Sequence, residues 1–189
     1  MSPTRSIKIW RGNMESSGIS FPETMNKLSE LIVFNCRISE IKMGMLCSFS
    51  SLVKVRMAHC RSLRELTFLM FAPNLRDLEL SSVHGLEDII KKEKACEIGN
   101  SGIPLFPKLN DLHLTSLTKL KNIYWSPLPF PCLQTIYVSG CPNLKKLPLD
   151  FNSGKHGENG LIIKYSEKEW IEGVEWEDEA TKTRFLLIC

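Results

Sequence analysis

The stretch Leu133-Gln134-Thr135-Ile136-Tyr137-Val138-Ser139-Gly140-Cys141 carries apolar side chains at its first, fourth, sixth and ninth places. The same spacing stands at Leu109, Leu112, Leu114 and Leu117, and at Leu75, Leu78, Leu80 and Val83. It stands again at Leu52, Val55, Met57 and Cys60, and at Leu28, Leu31, Val33 and Cys36. A worn copy, Thr4, Ile7, Ile9 and Gly12, precedes them. The starts fall at 4, 28, 52, 75, 109 and 133, a period of 24 or 23 residues broken once by 34. One insertion of about ten residues accounts for the long interval.

Two apolar residues two apart share one face of a short strand. A coil of ~24 residues cannot bury that face alone, so coils must stack, forming an apolar column and a parallel sheet along one side. The pattern runs on past each strand through Leu63, Leu86, Leu120 and Leu144, then Leu66, Ile89, Ile123 and Leu147. In the Leu28 copy Ser39 breaks this register, and Ile38 and Ile41 fill in. A turn stands before four of the starts: Phe49-Ser50-Ser51, Ala72-Pro73-Asn74, Phe106-Pro107-Lys108 and Phe130-Pro131-Cys132. These are leucine-rich repeats. The expected fold is an α/β solenoid: a horseshoe with a parallel concave sheet, a mostly irregular convex side and a C-terminal helical cap. An open α/β sheet would need helical periodicity between its strands, and Pro and Gly interrupt those connections too often.

About six coils are expected over residues 1–149, with a polar, flexible insert loop at 91–102. Lys91, Lys92 and Lys94 in that loop are either solvated or contacts for an acidic partner. Residues 150–189 read as a strand, Leu161 to Tyr165, and a capping segment with Trp170, Ile171, Trp176, Phe185 and Leu186. No polar cap precedes the strand at Arg5 to Ile9, so the chain is expected to be a fragment of a longer protein or a truncated gene product.

Composition narrows the function. The net charge is only +3, which speaks against nucleic acid as an obligate partner. Residues 1–166 carry +7 and residues 167–189 carry −4, either a solvated acidic end or one that docks on a basic surface. Seven cysteines, an odd number without a Cys-x-x-Cys pair, suit a reducing, cytoplasmic setting better than a disulfide framework or a zinc site. Cys36, Cys60 and Cys141 read as small buried hydrophobes, because Val83 and Leu117 take the same place in other copies. Neither a signal peptide nor an apolar membrane span is visible in the sequence.

Catalytic motifs are missing too. There is no phosphate-binding glycine loop, no metalloprotease helix motif and no nucleophile elbow. His59, His84, His113 and His156 are scattered, and His113 beside Asp111 reads as a surface pair. No cofactor, metal or enzymatic activity is expected. The side chains between the buried leucines must instead point to the concave face. They form three columns: Ser6, Glu30, Lys54, Asp77, Asp111 and Thr135; Lys8, Ile32, Arg56, Glu79, His113 and Tyr137; Trp10, Phe34, Ala58, Ser81, Thr115 and Ser139. Trp10, Phe34 and Ile32 make an apolar cluster suited to anchoring a partner. Lys54 and Arg56 lie one strand from Asp77 and Glu79 and can pair with them. Trp10, Ile32, Phe34, Lys54, Arg56, Asp77, Glu79, His113 and Tyr137 are the candidate contact residues.

Three stretches carry a family resemblance: Cys60-Arg61-Ser62-Leu63-Arg64-Glu65-Leu66; Leu128-Pro129-Phe130-Pro131-Cys132-Leu133 leading into Cys141-Pro142-Asn143-Leu144 and Leu147-Pro148; and the two-tryptophan tail from Trp170 to Asp178. They resemble the C-terminal repeats of plant coiled-coil nucleotide-binding leucine-rich-repeat disease-resistance proteins. The resemblance implies a segment that senses a pathogen effector or a guarded host protein, or holds the receptor's own nucleotide-binding domain off. A general binding module, such as the substrate-recruiting part of a ubiquitin ligase, is the alternative. The nucleotide switch and its phosphate loop are absent from these 189 residues. The chain is therefore expected to bind neither ATP nor ADP, and micromolar affinity for either in titration calorimetry would refute this.

Overall fold

The computed structural model of the chain describes residues 5–10, 18–21, 25–44, 48–98, 104–155 and 160–186. The described strands are β1 (Arg5–Trp10), β2 (Gly18–Phe21), β3 (Leu28–Phe34), β4 (Glu40–Met43), β5 (Lys54–Ala58), β6 (Asp77–Ser81), β7 (Asp111–Thr115), β8 (Thr135–Ser139) and β9 (Ile162–Tyr165). β1, β3, β5, β6, β7, β8 and β9 form one parallel sheet in that order, and β2 pairs with β4 in a second. The solenoid is the one the repeat demands. Thr4 and Gly12 of the worn copy lie outside the described residues, but Ile7 pairs with Leu31 and Ile9 with Val33, as the columns require.

In the large sheet the inward pair of β3, β5, β6, β7 and β8 is buried: Leu31 and Val33, Val55 and Met57, Leu78 and Leu80, Leu112 and Leu114, Ile136 and Val138. The second leucine pair closes the opposite wall, with Leu63, Leu66, Leu86, Ile89, Leu120, Ile123, Leu144 and Leu147 all buried. Between the two walls the turns before β5, β7 and β8 each supply a phenylalanine. Phe49, Phe106 and Phe130 are buried, and the last two stack with ring centroids 6.1 Å apart. One full coil therefore buries several large side chains, each worth about 1.5–3 kcal/mol.

The end of each strand has its own column. Asn35, His59, Ser82, Ser116 and Gly140, each seven places after its repeat start, all have positive φ between 53° and 63°. This left-handed step turns the chain out of the sheet and aims the next side chain inward: Cys36, Cys60, Val83, Leu117 or Cys141, all buried. The turned residue's amide donates to the neighbouring strand's last carbonyl: Asn35 to Ala58 (2.8 Å), His59 to Ser81 (3.0 Å), Ser82 to Thr115 (2.9 Å) and Ser116 to Ser139 (2.8 Å). The three thiols lean the other way. Cys36 donates to the Ile9 carbonyl, Cys60 to that of Val33 and Cys141 to that of Leu114, at 3.7–3.9 Å.

One expectation needs correcting. The first part of the insertion is not a flexible loop, because α1 (Lys92–Ile98) is helical, and residues 99–102 lie outside the described residues. Ala95 is buried, and the Lys94 ammonium lies 2.8 Å from the Glu65 carboxylate, so one apolar contact and one ion pair clamp the segment to the side of the solenoid. Burial pushes the Glu65 pKa up, but the hydrogen bonds from Lys94 and from the Thr67 amide outweigh it and hold the carboxyl below its usual range. Lys94 is thus committed within the chain, whereas Lys91 and Lys92 are exposed. The convex side is mostly irregular, as expected, and carries one short strand pair. Ile41 sits in β4 opposite Ile19 of β2, half-buried, while Ile38 fills the core as anticipated.

The final segment covers the last coil. After β9 come α2 (Lys168–Glu172) and α3 (Glu179–Leu186). β9 ends at Tyr165, opposite Val138, and beyond it the Glu167 carboxylate accepts the Gly140 amide at 3.2 Å. The buried Trp170 indole donates to the Leu144 carbonyl at 2.8 Å. Lys146 pairs with Glu177 at 2.7 Å, so part of the acidic end docks on the chain's own basic residues.

Trp170→Phe should keep the ring but orphan the Leu144 carbonyl, at a cost of about 1–3 kcal/mol. Leu114→Ala should cost about 2–5 kcal/mol. Because each coil touches only its neighbours, hydrogen exchange should loosen near residues 140–175 in the first variant and around β6 to β8 in the second. Equal loosening along the whole chain in both would contradict this. Burial also pushes the Cys60 thiol up from 9.0 to about 11. The fold favours the protonated thiol, so its contribution is complete below pH 9.0 and is lost as the pH climbs toward 11. At mildly alkaline pH an alkylating reagent should label the exposed Cys96 and spare Cys60 and Cys141 until denaturant is added.

Candidate protein-recognition face

Strand alternation leaves one face of the large sheet outside the core, and the register aligns its side chains in rows across the strands. Lys8, Ile32, Arg56, Glu79, His113 and Tyr137 are successive partners from β1 to β8, and Lys164 of β9 extends the row. Ser6, Glu30, Lys54, Asp77, Asp111 and Thr135 form a second row, and Trp10, Phe34, Ala58, Ser81, Thr115 and Ser139 a third. All nine candidate residues therefore share this face.

The face divides by chemistry. At the β1 end Trp10 is 61% exposed, unusual for so large an apolar side chain, and its ring lies 5.5 Å from that of Phe34. Phe34 in turn meets the His59 ring edge-on at 5.3 Å. Ile32 and Phe34 are half-buried. His59 belongs to this cluster but lies in none of the three strand columns. Its place directly after Ala58, the register partner of Phe34, is the signal that would have found it.

The middle is charged. Arg56 Nε lies 2.7 Å from a Glu79 oxygen, the pairing anticipated from the register, with both side chains nearly half exposed. Such an exposed pair contributes at most about 1 kcal/mol. Lys54 and Asp77 stand opposite each other, yet no ion pair joins them among the described residues. The Glu30 carboxylate accepts a hydrogen bond from Ser6 at 2.9 Å. Asp77 and Asp111 are direct register partners, which sets two carboxyls side by side on one rung. Toward β9, His113 leans on the Tyr137 ring at 5.8 Å rather than pairing with Asp111, and the Tyr137 hydroxyl is 3.0 Å from that of Ser166.

Elsewhere there are shallow cavities. One of about 360 Å³ is lined by Arg64, Glu65, Glu87, Asp88, Lys91 and Lys94 beside α1. Another of about 360 Å³, at the cap, lies among Ile171, Val174, Trp176 and Leu186. Among the described residues no group of three or more His, Cys, Asp or Glu side chains is placed to hold a metal ion. No described helix is long and apolar enough to cross a membrane.

Comparison with known proteins points one way. No family model and no solved structure matches the chain. A probable disease resistance protein of Arabidopsis thaliana is 47% identical over 177 residues, which is 90% of this chain and 24% of the relative. The disease resistance protein SUMM2 of the same plant is 44% identical over 193 residues, covering 95% of this chain and 21% of the relative. The disease resistance protein RPS5, also from Arabidopsis thaliana, is 47% identical over 175 residues, covering 86% of this chain and 20% of the relative. The chain thus spans between a fifth and a quarter of the length of the relatives it matches.

Proposed function

We propose that this chain, a relative of plant disease resistance proteins, is a non-catalytic protein-recognition segment of a cytoplasmic immune receptor that works through the exposed face of its sheet. The observation that carries the reading is the Trp10–Phe34 ring pair, with Trp10 61% exposed beside a charged row. An aromatic left in water on a rigid sheet is the usual form of a binding anchor. The contact residues are Trp10, Ile32, Phe34, Lys54, Arg56, Asp77, Glu79, His113 and Tyr137. Their partner is a pathogen effector, a guarded host protein or the receptor's own nucleotide-binding domain. In the last case the same face holds the resting state off. The disease resistance relatives favour this over a substrate-recruiting module of a ubiquitin ligase.

The test replaces Trp10 and Phe34 with Ala in the full receptor and measures resting activity and recognition at matched protein levels. Loss of an anchor costs on the order of 2 kcal/mol of binding, roughly thirtyfold. The expected outcome is raised resting activity, if the contact is intramolecular, or lost recognition, if the partner is another protein. An unchanged receptor that still accumulates would show that this face is not where the segment works.

A further inference from the structure

The exposed face has two unmatched features, and together they describe an occupant. The first is the apolar end, where Trp10 and Phe34 present rings and Ile32 flanks them. The second is the rung formed by Asp77 and Asp111 on adjacent strands. Like charges directly opposite each other in a sheet destabilise it unless something neutralises them. Arg56, on the same outer face, is already taken by Glu79 at 2.7 Å. Lys54 stands between Glu30 and Asp77 in the register and on the side away from Asp111. Among the described residues, neither Asp77 nor Asp111 is in an ion pair.

Strands lie about 4.8 Å apart and rise about 3.3 Å per residue, which puts the Phe34 ring roughly 18 Å from the middle of the Asp77–Asp111 rung. An extended chain covers that distance in about five residues. We propose that this face takes an extended stretch of a protein partner that seats an aromatic or large aliphatic side chain on the Trp10–Phe34 pair and, about five residues away, a lysine or arginine on the Asp77–Asp111 rung. The inference rests on the reading of this face as the contact surface and adds the chemistry of what it contacts. A guanidinium or ammonium between the two carboxyls removes their repulsion and gains charge-assisted hydrogen bonds. The rings supply the anchor.

The experiment uses the full chain and a phage-displayed library of random peptides, with denatured chain as the control surface. Enriched peptides are then titrated against the chain, against Trp10→Ala, and against Asp77→Asn with Asp111→Asn. Trp10 is exposed and the aspartates lie on the outer face, so circular dichroism should find all variants folded. The expected result is a recurring aromatic or large aliphatic residue about five places from a lysine or arginine. Binding should weaken about tenfold in each variant and fall with salt. Peptides that need Trp10 but ignore the aspartate pair, or that carry an acid in place of the base, overturn the inference and leave the contact surface standing. Enriched peptides indifferent to both variants overturn the contact surface as well, and so does a failure to enrich any peptide over the denatured control.

Discussion

One coil of this chain cannot bury its own apolar face. Everything regular in the molecule follows from that constraint. The two inward side chains of a strand are shielded only if the next coil lies alongside, parallel and in register, and the register holds without a slip from β3 to β8. A slip of one residue would turn Leu112 and Leu114 to water and bring Asp111 and His113 into the core, which no local gain could offset. The left-handed residue after each strand serves the same end. It takes the chain out of the sheet while its amide stays bonded to the neighbouring coil, so turning costs no hydrogen bond.

Where the column stops, its unfinished bonds are completed by imitation. The Glu167 carboxylate stands in for the strand carbonyl that Gly140 would otherwise meet. The Trp170 indole donates to the Leu144 carbonyl beside it at 2.8 Å. The Glu175 amide does the same for Lys145 at 2.7 Å. Part of the acidity of the last residues is thereby explained without an external partner: Glu167 caps an amide and Glu177 pairs with Lys146. Phe185, stacked on Trp176 at 5.9 Å, closes the apolar end.

The sheet was legible in the sequence because a spacing of two at a fixed period admits few other readings, and the rows of the outer face followed from it residue by residue. Three things were not legible. The helix Lys92–Ile98 has one buried anchor, Ala95, in a run of lysine and glutamate, and its ion-pair partner Glu65 lies far back in the sequence. β2 and β4 fall in the copies whose second leucine pair is broken, so their pairing carried no periodic signal, although later coils keep single parallel bridges at that place, Asp88 with Asn122 and Lys146 with Glu175. The left-handed column is occupied by Asn, His, Ser, Ser and Gly, residues with no common polarity or size. On the candidate face the Arg56–Glu79 pair was foreseeable from register, while the ring contacts of Phe34 with His59 and of His113 with Tyr137 depend on side-chain rotation.

The division between the two faces also bears on how such a segment can vary. Inward residues are fixed by packing: removing a buried methyl or two from Leu80 or Leu114 costs a sizeable share of the stability of any domain. Outward residues carry no such load. The Arg56–Glu79 pair is exposed and worth little to folding, and Trp10 contributes mainly the area it hides against Phe34. Changing these side chains therefore leaves the backbone in place, and the rows on the sheet keep their spacing whatever they carry. A partner that meets them meets a surface already ordered before contact, so little binding energy is lost to arranging it. A scaffold whose packing lies mainly on the other side of its strands can exchange outer side chains one residue at a time with little folding penalty.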